Sequence, residues 1–173
     1  MKRFAMMAVV ALLAAGCGSK SPTTPSGPPN TINFTAALNP ANEVPPVTNA
    51  DASGRGTGTF TLNLTRDSAG TITAATATFV FSLSGFPNGT QVILTHIHTG
   101  GPGAVGSPIV NSGLTAANAV QLPNGSVTNQ TFTNPSVSPT DAQKIIDDPN
   151  GFYFNVHTTL NPSGAARGQL VKQ

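Results

Sequence analysis

The sequence predicts an all-β fold, an antiparallel β-sandwich carrying one short helix. Three observations lead there. Apolar residues recur with a period of two through most of the chain beyond residue 30, the spacing of strands with one buried face. Threonine, serine and asparagine fill the alternate positions, as suits the outer surface of a sheet. Gly, Pro and Asn-Gly turn signals separate the runs at short intervals, which is the punctuation of a sandwich and not of a helical or α/β chain.

In order, Ile32, Phe34, Ala36 and Leu38 alternate with Asn33, Thr35 and Ala37 in a first strand. Phe60, Leu62 and Leu64 alternate with Thr59, Thr61, Asn63 and Thr65 in a second. Asp67-Ser68-Ala69-Gly70 turns the chain into a long third strand, Ile72 to Ser84, with Phe79, Phe81 and Leu83 on one face. After Asn88-Gly89, a fourth places Val92, Leu94, His96 and His98 on one face and Ile93 and Ile97 on the other. Pro108 to Val110, Val127 to Phe132, Phe152 to His157 and Gln169 to Val171 supply shorter strands, with turns at Asn124-Gly125 and Asn150-Gly151. The helix follows Ser138-Pro139-Thr140-Asp141, which offers an N-cap, Pro at the first helical position and an acid in the first turn. Ala142, Ile145 and Ile146 form its apolar stripe, and Asp148-Pro149 stops it.

The N-terminus is of another kind. Met1-Lys2-Arg3 precedes an apolar run from Phe4 to Ala15, the layout of a secretory signal peptide and too short for a membrane span, which needs ~20 apolar residues. Its end, Leu13-Ala14-Ala15-Gly16-Cys17, resembles the bacterial lipobox, with Ala14 where Leu is commoner. The resemblance implies cleavage after residue 16 and lipidation of Cys17, the only cysteine, so the mature domain must be stable without disulfides. Gly18 to Asn30 is rich in Pro, Ser and Thr and lacks apolar residues, a composition that reads as a flexible tether. The expected organisation is thus a lipoprotein signal peptide over 1–16, lipidated Cys and tether over 17–30, and one domain over 31–173. Such a protein is exported and lipid-anchored to a bacterial membrane, the outer one in a diderm, facing the periplasm or the cell surface.

Beyond the signal peptide the charges are Lys20, Arg55, Arg66, Lys144, Arg167 and Lys172 against Glu43, Asp51, Asp67, Asp141, Asp147 and Asp148. The formal balance is zero and there is no basic stripe, which excludes a nucleic-acid partner held through its phosphates.

The histidines carry the chemistry. All three lie in two strand-like runs, Thr95-His96-Ile97-His98-Thr99 and Phe154-Asn155-Val156-His157-Thr158. Alternation puts His96 and His98 on one face, ~6.6 Å apart along the strand. If the two strands are neighbours, His157 joins them, giving three imidazoles, enough for Zn or Cu with an open position. Tyr153 and Asn155 share the face of His157 and are candidate supporting groups. The plainer reading, taken ahead of metal, is a hydrogen-bonded polar cluster that bridges two strands with ordered water.

Several landmarks occur in order: Leu38-Asn39-Pro40-Ala41-Asn42-Glu43-Val44-Pro45-Pro46, Ala52-Ser53-Gly54, His96-Ile97-His98, Gly106-Ser107-Pro108-Ile109-Val110, Tyr153-Phe154-Asn155-Val156-His157-Thr158, and Pro162-Ser163-Gly164-Ala165-Ala166-Arg167-Gly168-Gln169-Leu170. Together they resemble the chordin-type (CHRD) domain over roughly Ile32 to Val171. The resemblance implies an immunoglobulin-like β-sandwich, distantly superoxide-dismutase-like, and no settled activity. One departure is that Ala165 and Ala166 stand where the family usually has Glu and Ile. Superoxide dismutation itself fails on counting, since those enzymes need more histidines than the three present here.

Other catalysis lacks residues. No strand-elbow-helix nucleophile motif is present, and Asp147-Asp148, the adjacent acid pair, sits at a helix end. Glu43 and Arg167, beside Pro and Gly landmarks near opposite ends of the domain, form a candidate structural ion pair. The leading expectation is therefore a lipid-anchored, exported, non-catalytic binding module for an unknown protein or small ligand. The alternative is a Cu or Zn protein using His96, His98 and His157, with a single-metal redox enzyme behind it.

Overall fold

The computed structural model describes residues 27–173; the signal peptide, Cys17 and most of the tether lie outside the described residues. The elements are β1 (Thr31–Leu38), β2 (Arg55–Arg66), β3 (Ile72–Ser84), β4 (Thr90–Thr99), β5 (Pro108–Asn111), β6 (Val120–Leu122), β7 (Val127–Val137), α1 (Pro139–Asp147), β8 (Phe152–Thr158), β9 (Ala166–Gln169) and β10 (Val171–Lys172). All strand pairings are antiparallel. One sheet runs β10-β1-β2-β3-β7; the other runs β5-β4-β8-β9, with β6 also paired to β4. This is the predicted all-β sandwich. No helix among the described residues is long and apolar enough to cross a membrane.

The alternating apolar residues face inward. Phe34, Phe60 and Phe79 of the first sheet meet Phe154 of the second in a chain of rings with centroids 6.0, 5.1 and 5.6 Å apart. All four are fully buried, each stabilising by roughly 1.5–3 kcal/mol. Ser138 caps α1, its Oγ accepting the Asp141 amide N–H at 3.0 Å, and Ala142 and Ile145 are the buried face.

Two departures from simple alternation matter. The run read as one strand over 169–171 is divided: β9 pairs with β8 in one sheet and β10 with β1 in the other. Leu170, 1 % exposed, fills the core where the chain crosses. In β4, the register against β8 shifts between Val92 and Leu94. Strict alternation would put Val92 on the histidine face, but this bulge turns it into the core at 0 % exposure while Leu94, His96 and His98 keep the other face.

Candidate metal centre

Strands β4 and β8 are neighbours, and their register sets the site. Leu94 stands opposite His157, His96 opposite Asn155, and His98 opposite Tyr153. On the far side of β8, Asn155 faces Arg167 and Tyr153 faces Gln169. The alternate pair, Ile97 with Phe154, belongs to the core. The histidines therefore lie on the sheet face turned away from the sandwich interior. They are nevertheless buried, with His96, His98 and His157 only 9, 8 and 5 % exposed.

The three imidazoles converge. One ligating nitrogen from each lies within 4.8 Å of the others, and they are the metal-competent group of three among the described residues. Ring centroids stand 5.1 to 5.9 Å apart. Tetrahedral nitrogens on one ion at ~2.0–2.1 Å each stand ~3.3–3.4 Å apart, so the set closes around an ion with side-chain movements of about an ångström or more.

Hydrogen bonds fix which nitrogens are available. His98 Nδ1 lies 3.0 Å from the carbonyl oxygen of Gly106, and His157 Nδ1 lies 3.0 Å from that of Pro162. A carbonyl only accepts, so both Nδ1 atoms carry the proton and both Nε2 atoms carry a lone pair. His96 Nδ1 lies 3.2 Å from His157 Nε2; it must therefore be the donor of that bond. His98 Nε2 is buried and has no hydrogen-bond partner. Burial holds all three imidazoles neutral. It lowers His96 to about 4, with His157 and His98 adding repulsion, and lowers His157 to about 4 against the Pro162 hydrogen bond. His98 is lowered too, by burial first and by Arg167 after the Gly106 bond's opposing effect. Neutral imidazole is the form that binds metal.

Tyr153 supports the cluster with its ring. It stacks on His98 at 4.9 Å and 18°, and the Arg167 guanidinium lies over the ring, 4.3 Å from its centroid. Its hydroxyl accepts from the Gly106 amide N–H at 3.4 Å. Asn155 is buried beside His96, and its Oδ1 has no hydrogen-bond partner.

Glu43 and Arg167 are both buried and border one cleft, but the expected contact ion pair is not made. Among the described residues the one side-chain pair within 4.0 Å is Lys144–Asp141. Arg167 instead donates from Nε to the Asn42 carbonyl at 2.6 Å and from Nη1 to the Ala104 carbonyl at 2.8 Å. Burial raises Glu43 to about 7, against the pull of Arg167. The guanidinium is thus committed to two loop carbonyls and a ring, and the carboxyl gives up its proton only around neutral pH.

Sequence reasoning missed the residues that orient the histidines, because they act through backbone carbonyls. Gly106 and Pro162 stood out as landmarks, but nothing in their side chains signals an acceptor. Asp51 is a third. It is 1 % exposed and its Oδ2 accepts from Thr158 Oγ1 at 2.6 Å and Asn161 Nδ2 at 2.7 Å. That pins the turn that presents Pro162, and only its place among the acids marked it.

A family model described as the CHRD domain matches residues 34–170, a span that contains every residue of this cluster. Neither a curated protein nor a solved structure matches the chain.

Proposed function

The chain belongs to the CHRD domain family, and we propose that this member is a non-catalytic binding module whose ligand is a transition-metal ion, zinc or copper, held by His96, His98 and His157. The observation that carries the reading is His98 Nε2, a buried lone pair with no hydrogen-bond partner in a cluster where every other protonation choice is set. A polar cluster serving stability alone satisfies its buried nitrogens; a metal site leaves lone pairs converging on one point. The donor chemistry agrees, since neutral imidazole suits both Zn and Cu.

Hydrogen bonds from Nδ1 to backbone carbonyls are the outer support that orients ligating histidines, and two of the three have one. Exposure below a tenth at all three leaves little room for a substrate, which supports binding over turnover. The lipobox-like segment ending at Cys17 supports presentation of the module at a bacterial membrane, outside the cytoplasm, where a protein or small-molecule partner meets it.

Elemental analysis of the protein purified without a histidine tag tests the reading. Near one Zn or Cu per chain, lost in His98→Ala while the fold persists by circular dichroism, is the expected result. A wild-type protein that neither retains nor takes up either ion refutes it.

A further inference from the structure

The three histidines are not held alike. His98 and His157 are each tied to a backbone carbonyl on the side away from the cluster. His96 Nδ1–H donates instead to His157 Nε2, the very lone pair a metal ion requires. An ion cannot occupy that lone pair until His96 withdraws its N–H. His96 also borders a surface pocket of about 210 Å³, completed by Pro108, Ile109, Val110 and Asn111 of β5. Strand β5 flanks β4 on the edge opposite β8, so His96 stands between this pocket and His157.

We propose that His96 is the exchangeable ligand of the site and that the β5 pocket beside it is the port through which a metal ion enters and leaves. This rests on the metal-binding reading above and goes beyond it by assigning unequal roles to the ligands. His98 and His157 form a preset pair of Nε2 donors. His96 swings toward the pocket, releases His157 Nε2, and closes on the ion once it has arrived. His96 keeps its hydrogen on Nδ1 and coordinates through Nε2, which the swing turns toward the ion, so no proton need be lost.

Ile109 is the residue with which to test it, being partly buried and packed against the core from within the pocket wall. Cobalt(II) uptake by the full chain, followed by its visible absorption in stopped flow, gives the on-rate. Transfer of the bound ion to excess chelator gives the off-rate. Ile109→Trp, which fills the port, is expected to slow both rates by about tenfold with the dissociation constant unchanged within a factor of about two. Ile109→Ala, which widens it, accelerates both. Thr128→Trp, exposed on the other sheet, leaves both rates at wild-type values.

Wild-type rates in both Ile109 variants overturn the port, as does an off-rate change with a constant on-rate. Failure of the wild type to take up cobalt, zinc or copper at all overturns the metal site itself and the port with it. Normal stoichiometry with unaltered kinetics removes only the port.

Discussion

The carbonyl oxygen of Gly106 stands 3.0 Å from Nδ1 of His98, and the amide N–H of the same glycine donates to Tyr153 Oη at 3.4 Å. One residue of the β4–β5 connection thereby sets both the tautomer of a candidate ligand and the place of the ring stacked on it. Only glycine fits, since a Cβ at 106 would collide with the Thr99 carbonyl oxygen. Gly106→Ala is therefore expected to push the connection outward, costing about 1–3 kcal/mol of stability, and to weaken Zn binding by roughly 10–100-fold. Urea denaturation and a competitive Zn titration measure the two. Wild-type affinity in a destabilised variant would separate the carbonyl from any part in the site.

The sandwich was legible because its strands obey one rule. Phe34, Phe60, Phe79 and Phe154 all sit on the face that alternation assigns them, and the cap at Ser138 reads directly as the start of α1. Val92 breaks the rule because a bulge is a matter of pairing register, which depends on a strand some 60 residues away and has no local signature. Leu170 escaped for the same reason, as its change of sheet is decided by which neighbour each half of the segment finds. At the site, the side chains that converge could be named from alternation, given that the strands carrying them are neighbours. Their tautomers could not, since Gly106 and Pro162 contribute oxygens that every residue possesses. Glu43 and Arg167, expected as an ion pair, border one cleft without making that contact, because which acceptors the guanidinium chooses is a matter of loop path, invisible in residue type.

The histidines dictate how stability responds to acid. His96 and His157 titrate at about 4 in the folded protein, below the usual 6.5, and His98 is shifted the same way. Unfolding therefore takes up protons between those values. The stability these groups contribute is present above pH 6.5 and is lost as pH falls toward 4. The loss should be on the order of a few kcal/mol. Urea midpoints at about pH 7, 5.5 and 4.5 should decline steadily in the metal-free protein, and less steeply in His157→Gln. Equal slopes in the two proteins would show that the cluster does not govern the response.

Glu43 acts with the opposite sign. Its carboxyl is raised from 4.5 to about 7 by burial, so the folded state holds a proton that the unfolded chain releases. That stabilisation is complete below pH 4.5 and is lost as pH rises through 7. Glu43→Gln keeps the shape and cannot ionise. It should match the wild type near pH 4 and exceed it by about 1–3 kcal/mol near pH 8. Thermal unfolding of both proteins at the two pH values decides it. A variant less stable than the wild type at pH 8 would mean that the ionised carboxylate is the favoured native form.

Gly164 is bound to the same carboxyl by sterics. It sits at φ +144, and a Cβ there would lie 2.7 Å from Glu43 Oε2 and 3.0 Å from Asn155 Nδ2. Gly164→Ala combines an unfavourable backbone conformation with two polar collisions and is expected to cost about 2–4 kcal/mol. Pairing it with Glu43→Ala, which clears the nearer obstacle, should recover part of that cost. Additive losses in the double variant would place the whole penalty in the backbone.

Arg167 provides the sharpest separation of two accounts of one residue. If its value lay in an ion pair with Glu43, Arg167→Ala would cost little near pH 5, where that carboxyl is neutral, and much more near pH 8. The geometry favours another account. The guanidinium donates to the Asn42 and Ala104 carbonyls, joining two loops, and covers the ring that stacks on His98. None of these contacts depends on Glu43. Arg167→Ala should therefore lose about 2–4 kcal/mol at both pH values. A double-mutant cycle with Glu43→Gln near pH 8, where the carboxyl is ionised, should show a coupling below about 1 kcal/mol. Loosening of the Tyr153 ring should also broaden the His98 ring signals in NMR spectra of the metal-free protein. A loss confined to alkaline pH, with strong coupling to residue 43, would restore the charge pair as the reason the guanidinium is buried.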